Sequence, residues 1–98
     1  MTTKQRAYLK SLAMTTEPIF QIGKSSMTPG LTEAISEALA ARELIKVKVL
    51  ENSEYSAKEA ANILAEALSA DCVQVIGRKF VLFKQKPKES VFAALLAK

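Results

Sequence analysis

Two hydrophobic periods alternate along the chain, and their alternation outlines an architecture. In "TTKQRAYLKSLAM", Tyr8, Leu9 and Leu12 recur at helical spacing with Gln5 on the margin, while Arg6 and Lys10, four apart, share another face. Thr2 or Thr3 is the expected N-cap. "PIFQI" reads as a short strand, since Pro18 turns its neighbour away from helix. Thr28-Pro29 then opens a second helix, threonine as cap and proline at the first helical position. Its apolar positions are Leu31, Ala34, Ile35, Ala38 and Leu39, and it is expected to end near Arg42.

The period then shortens to two. In "LIKVKVL", Ile45, Val47 and Val49 point one way and Leu44, Lys46, Lys48 and Leu50 the other, as in a half-buried strand. Ser56-Ala57-Lys58-Glu59 forms a capping box that starts a third helix, whose buried face is expected at Ala57, Ala60, Ala61, Leu64, Ala67 and Leu68. "CVQVIGRKFVLFK" holds two strand-like runs around Gly77-Arg78, a pairing suited to a type II′ hairpin with Arg78 and Lys79 at its tip. The tail breaks at Pro87 and carries Val91, Phe92, Leu95 and Leu96, enough for a short final helix. The expected order is α-β-α-β-α-β-β, an α/β fold in two layers: a four-stranded mixed sheet packed by helices, the first helix beside the two crossover helices. Residues 1–86 form one domain and 87–98 a tail.

Composition narrows the chemistry. A chain of 98 residues, 49% hydrophobic and 24% charged, is sized for one domain with its own core. There is no histidine, the commonest general base and metal ligand, and Asp71 is the only aspartate. No catalytic triad, zinc site or nucleotide-hydrolysing loop can be assembled, so the expectation is a non-enzyme without cofactor or metal. Cys72, the single cysteine, lies in an apolar run and reads as packing. With no disulfide, no signal peptide and no apolar run near 18 residues, the reading is a cytoplasmic protein without membrane contact. A monomer is the simpler expectation.

The charge is patterned. Against a formal net charge of +4, residues 1–10 carry +3, residues 50–71 carry −4, and residues 72–88 carry +5. If the basic ends meet in space, the molecule has one basic side. Otherwise these lysines only solvate the surface. The stretch "QIGKSSMTPGL" asks the sharper question. Gly23 can admit a close backbone, Lys24 supplies a charge, Ser25 and Ser26 supply hydroxyls, and a helix N-terminus follows, which favours an anion. The same residues also suit a plain strand-to-helix turn.

Four stretches, "TKQRAYLKSLA", "PIFQIGKSSMT", "EALAARELIKVKVL" and "VQVIGRKFVLFK", together resemble the CRM domain family, specifically the small stand-alone bacterial YhbY-like RNA-binding proteins. The resemblance covers residues 3–84 and implies a fold like the C-terminal domain of bacterial translation initiation factor three. It implies RNA as partner: bacterial members are associated with precursors of the large ribosomal subunit, and plant relatives serve in intron splicing. The family's loop after the first strand reads Gly-Lys-x-Gly, likened to the GXXG loop of KH domains. Gly23 and Lys24 match it, and Ser26 stands where the second glycine is expected. A serine held at positive φ costs roughly 1 kcal/mol, so the loop takes another shape, grips more weakly or tolerates the strain. The expected RNA contacts are Gly23, Lys24, Ser25 and Ser26, then Lys4, Arg6 and Lys10 on the first helix, then Arg78 and Lys79. Lys46 and Lys48 could join them or belong to a sheet surface elsewhere. Tyr8 is a possible base platform, while Phe20, Phe80 and Phe83 read as core. The rival reading is an adaptor that docks on a ribosomal protein or assembly factor through the apolar tail or the acidic face at Glu59 and Glu66. A general RNA chaperone is a third.

Overall fold

The structure, a computed structural model, describes residues 2–24 and 28–85. Seven elements run in the expected order: α1 (Thr3–Ala13), β1 (Phe20–Ile22), α2 (Pro29–Arg42), β2 (Leu44–Val49), α3 (Ala57–Leu68), β3 (Asp71–Ile76) and β4 (Lys79–Phe83). The expected tail helix, and the geometry of Ser25 and Ser26, lie outside the described residues.

Local chemistry sets the element ends. Thr2 caps α1, its hydroxyl accepting from the Gln5 N–H while the Gln5 side chain accepts from the Thr2 N–H. Thr28 caps α2 by accepting from the Leu31 N–H, with Pro29 at the first position. Ser56 and Glu59 form the capping box of α3. Gly77, at φ +57, occupies the first position of the two-residue β3–β4 turn, and Arg78 is not at positive φ, as a type II′ turn requires.

The sheet order is β1-β2-β4-β3. β1 runs parallel to β2, while β4 is antiparallel to both β2 and β3. β3 is therefore parallel to β2, and α3 crosses over β4 to reach it. Both crossovers, β1-α2-β2 and β2-α3-β3, advance in the same direction across the sheet. Right-handed connection then puts α2 and α3 on one face. Ile22, Ile35, Leu39, Ile45, Val47, Ala60, Ala61, Leu64, Phe80 and Leu82 interdigitate there, and the alanines of α3 let it lie close.

The expectation of two layers needs correction, because α1 covers the opposite face. Leu9 and Ala13 of α1 pack with Val73, Val81 and Phe83, backed by Leu44, in a separate cluster. Successive strand residues point to opposite faces. Phe80 and Leu82 thus belong to the α2–α3 side, and Val81 and Phe83 to the α1 side. The molecule is an α/β/α arrangement of three layers. No crossover rule constrains α1, since no strand precedes it, and it goes where apolar sheet surface would otherwise face water.

This placement also shifts the stripe of α1. Leu9 and Ala13 are buried, with Arg6 and Lys10 half-buried beside them, while Lys4 and Tyr8 point outward. Arg6 and Lys10 do share a face, and it is the face turned to the sheet.

Candidate nucleic-acid interface

The C-terminal ends of β1 and β2 and the β3–β4 turn lie at one end of the sheet, because β4 starts where β2 finishes (Lys48 is paired with Lys79). Backbone hydrogen bonds tie these connections together. The Leu50 N–H donates to the Ile22 carbonyl at 2.8 Å, and the Val49 N–H to the Arg78 carbonyl at 2.6 Å. Gly23 follows β1 at this end. It does not use the left-handed region; a Cβ there would stand 3.4 Å from Leu50 Cδ1 and 3.6 Å from Asn52 Oδ1, ordinary van der Waals contact, so neither backbone strain nor space requires a glycine at this position. Lys24 is exposed beside it.

Two helix N-termini open onto this end, and they differ. In α3 the Glu59 carboxylate accepts from the Ser56 N–H at 3.0 Å and occupies the site an anion would take. That bond holds the Glu59 carboxyl below its ordinary pKa. The first turn of α2 contains no acid. The Thr28 hydroxyl accepts from the Leu31 N–H, and no carboxylate of its own turn compensates the positive end of the α2 dipole.

The remaining expected contacts scatter. Arg6 is a fastening: its Nη1 donates to the Cys72 carbonyl at 2.6 Å and the Val73 carbonyl at 2.9 Å. There β3 bulges between Cys72 and Gln74, and the guanidinium satisfies carbonyls on that edge strand. Arg78 pairs with Glu51 at 3.0 Å, both side chains largely exposed. Lys4 is exposed near the N-terminus of α1. The basic ends do meet in space, since α1 lies against β3 and β2, yet Lys24 and Arg6 sit by opposite edges of the sheet. Three inter-strand spacings, roughly 14 Å, separate those edges.

Between them the α1 face carries lysines that the expected set used only in part. Gln21, Lys48, Lys79 and Ile76 are register partners in one row across all four strands. Lys46 lies one row further in, beside Val81. The alternation of β2 showed that Lys46 and Lys48 share a face; only the position of α1 shows that this face stays open at their end.

Among the described residues no group of three or more acidic, histidine or cysteine side chains could hold a metal, and no helix is long and apolar enough to cross a membrane. Cys72 is half-buried, and desolvation raises its thiol pKa, which disfavours a reactive thiolate.

Comparison with known proteins fits this geometry to a family. The model of the CRS1/YhbY (CRM) domain matches residues 1–84. The chain belongs to the CRM domain family. It is 42% identical over 85 residues to YqeI, named a probable RNA-binding protein, of Bacillus subtilis, covering 87% of this chain and 88% of the relative. It is 32% identical over 91 residues to an RNA-binding protein of Haemophilus influenzae, covering 93% and 92%. The solution structure of a hypothetical protein from Staphylococcus aureus, described as a candidate RNA-binding protein, superimposes with a TM-score of 0.77 at 42% identity. That match covers 92% of this chain and 94% of the other. In this CRM domain, the Gly23-Lys24 loop and the row of lysines occupy neighbouring parts of one end of the sheet.

Proposed function

We propose that this protein is a non-catalytic RNA-binding protein whose grip on the phosphodiester backbone begins at the loop after β1. One observation carries the reading: Lys24 stands four residues before Thr28, the cap of a helix whose first turn holds no carboxylate. Membership of the CRM family, with relatives named as RNA-binding, supports RNA as the ligand. Lys24 and the N-terminus of α2 hold phosphate oxygens, and the exposed Lys4 extends the footprint. Arg6 contributes by fixing α1 to β3. Large-subunit ribosomal RNA or its precursor is the proposed target, bound by a cytoplasmic monomer during subunit assembly.

The test is binding to large-subunit ribosomal RNA fragments across a salt series. Each neutralised phosphate releases counterions, so the log–log slope counts contacts. Lys24→Ala should weaken binding and flatten the slope by about one unit. If wild type shows no salt-sensitive binding, the RNA reading fails. If Lys24→Ala binds like wild type, the loop is an ordinary turn.

A further inference from the structure

The Lys48–Lys79 pairing is unfavourable for the fold by itself. The two face one another in the β2–β4 register, and among the described residues neither has a carboxylate within 4.0 Å. Directly opposed Cβ atoms lie about 4.5–5.5 Å apart, and like charges at such positions destabilise a sheet. Lys46, half-buried, adds a third ammonium on the same face. α1 stops short of this area. Its C-cap Met14 is 80% exposed and overhangs a pocket of about 200 Å³ whose lining includes Lys46, Gln74, Ile76, Lys79 and Val81. Ile76 is itself 62% exposed. A cationic rim around an apolar wall suits a ligand with both an anionic backbone and a flat, weakly polar group.

We infer that this shelf binds single-stranded RNA, its lysines taking phosphates while the pocket under Met14 receives one unstacked base. The inference rests on the RNA-binding reading above and supplies the strand form of the ligand and the second half of the footprint. The row runs on the α1 face from Gln21 of β1, two residues before Gly23, across the sheet to β3, while α2 packs on the other face, so a backbone held at Lys24 rounds this end of the sheet to reach Lys48 and Lys79. Single strands can splay a base away from its neighbours, whereas a duplex keeps its bases stacked inside. The pocket is smaller than the roughly 300–1,000 Å³ of sites for drug-sized ligands, which fits one ring system. Its wall of Met14, Ile76 and Val81 has no aromatic platform, so any base should be accepted with little discrimination, Gln74 alone offering an amide to a base edge.

Fluorescence anisotropy with labelled oligouridylate, a short blunt RNA duplex and an oligoglutamate peptide tests this from about 50 to about 400 mM salt. Lys46→Gln/Lys79→Gln should flatten the oligouridylate log–log slope by about 1.4 units, at roughly 0.7 per phosphate for single strands. Met14→Ala/Ile76→Ala should cost about fivefold in affinity at fixed salt with the slope unchanged, because it removes base contact and no charge. Duplex binding should be insensitive to the apolar pair. Circular dichroism melts establish that each variant is folded. A 4-thiouridine-substituted oligouridylate should crosslink to the peptides containing Met14 and Ile76, an independent readout in the unaltered protein. The shelf is refuted if wild type binds oligouridylate while both double variants match it and crosslinks fall elsewhere. It is refuted also if oligoglutamate competes for the shelf and oligouridylate does not. Loss of the Lys24→Ala effect alone leaves the shelf standing and removes the loop, whereas absence of all RNA binding by wild type overturns both.

Discussion

Replacing Lys79 by glutamate should make the protein more stable and a poorer RNA binder at once. Lys48 and Lys79 are register partners in antiparallel strands. Flexible side chains let the ammonium groups separate to about 7 Å, where two unit charges in water interact by roughly 0.6 kcal/mol. Screening at physiological ionic strength, with a Debye length of about 8 Å, reduces this to roughly 0.25 kcal/mol. Lys79→Glu turns that repulsion into attraction of similar size, a swing of about 0.5 kcal/mol, within the range measured for cross-strand pairs. For a domain of this length the melting temperature should rise by roughly 2–4 °C. Screening supplies the control. The gain should grow at low salt and vanish near 1 M, where the Debye length is about 3 Å. Thermal melts of wild type and variant in parallel at low, physiological and high salt read this directly. A gain that persists at high salt would mean a change in strand propensity or packing, and no gain at any salt would mean the two lysines do not interact. Either result refutes the charge argument from the register. RNA affinity in the same samples should move the opposite way, with a shallower salt slope.

Other substitutions separate fold from site. Arg6→Met should lower stability by about 2 kcal/mol, since it unpairs the Cys72 and Val73 carbonyls, and the RNA salt slope of the folded fraction should not change; denaturant melts and anisotropy decide. Gly77→Ala should cost about 1 kcal/mol in a urea melt because φ at that position is +57, although a Cβ would meet no neighbour within 4 Å. Glu59 has a folded pKa lowered from 4.5, so its contribution is present above 4.5 and is lost as pH falls through the folded value. Glu59→Gln, which can keep the bond from the Ser56 N–H, should therefore flatten the acid side of the stability–pH curve; an unchanged curve would show that the carboxylate's charge does not matter there.

Much of the fold was legible because its elements announce themselves locally. Thr28-Pro29, the Ser56–Glu59 box and Gly77-Arg78 are cap and turn signals each confined to a few consecutive residues, and each stands where its element begins or turns. The layer count was legible too, in "FVLF". Four consecutive apolar residues in β4, all buried, cannot belong to a strand with one wet face. That run required cover on both sides of the sheet, and α1 supplies the second cover. Within the basic clusters, spacing along the chain gave no guide to duty. Arg6 is fixed to β3, Arg78 pairs with Glu51, and Lys84 donates to the Leu68 carbonyl at the C-terminal end of α3.

The sequence by itself determined the order of elements, their caps, the buried face of β2 and the position of Gly23-Lys24 before a helix start, because each depends on interactions within a turn or two of chain. Tertiary structure alone decided which charges share a surface. Strand order brings Lys48 beside Lys79, residues 31 apart in the chain, and the reach of α1 decides how much of their face stays open. Side-chain period says which residues point the same way along one strand. It says nothing about which strand lies next door, and a surface charge acquires its role from those neighbours.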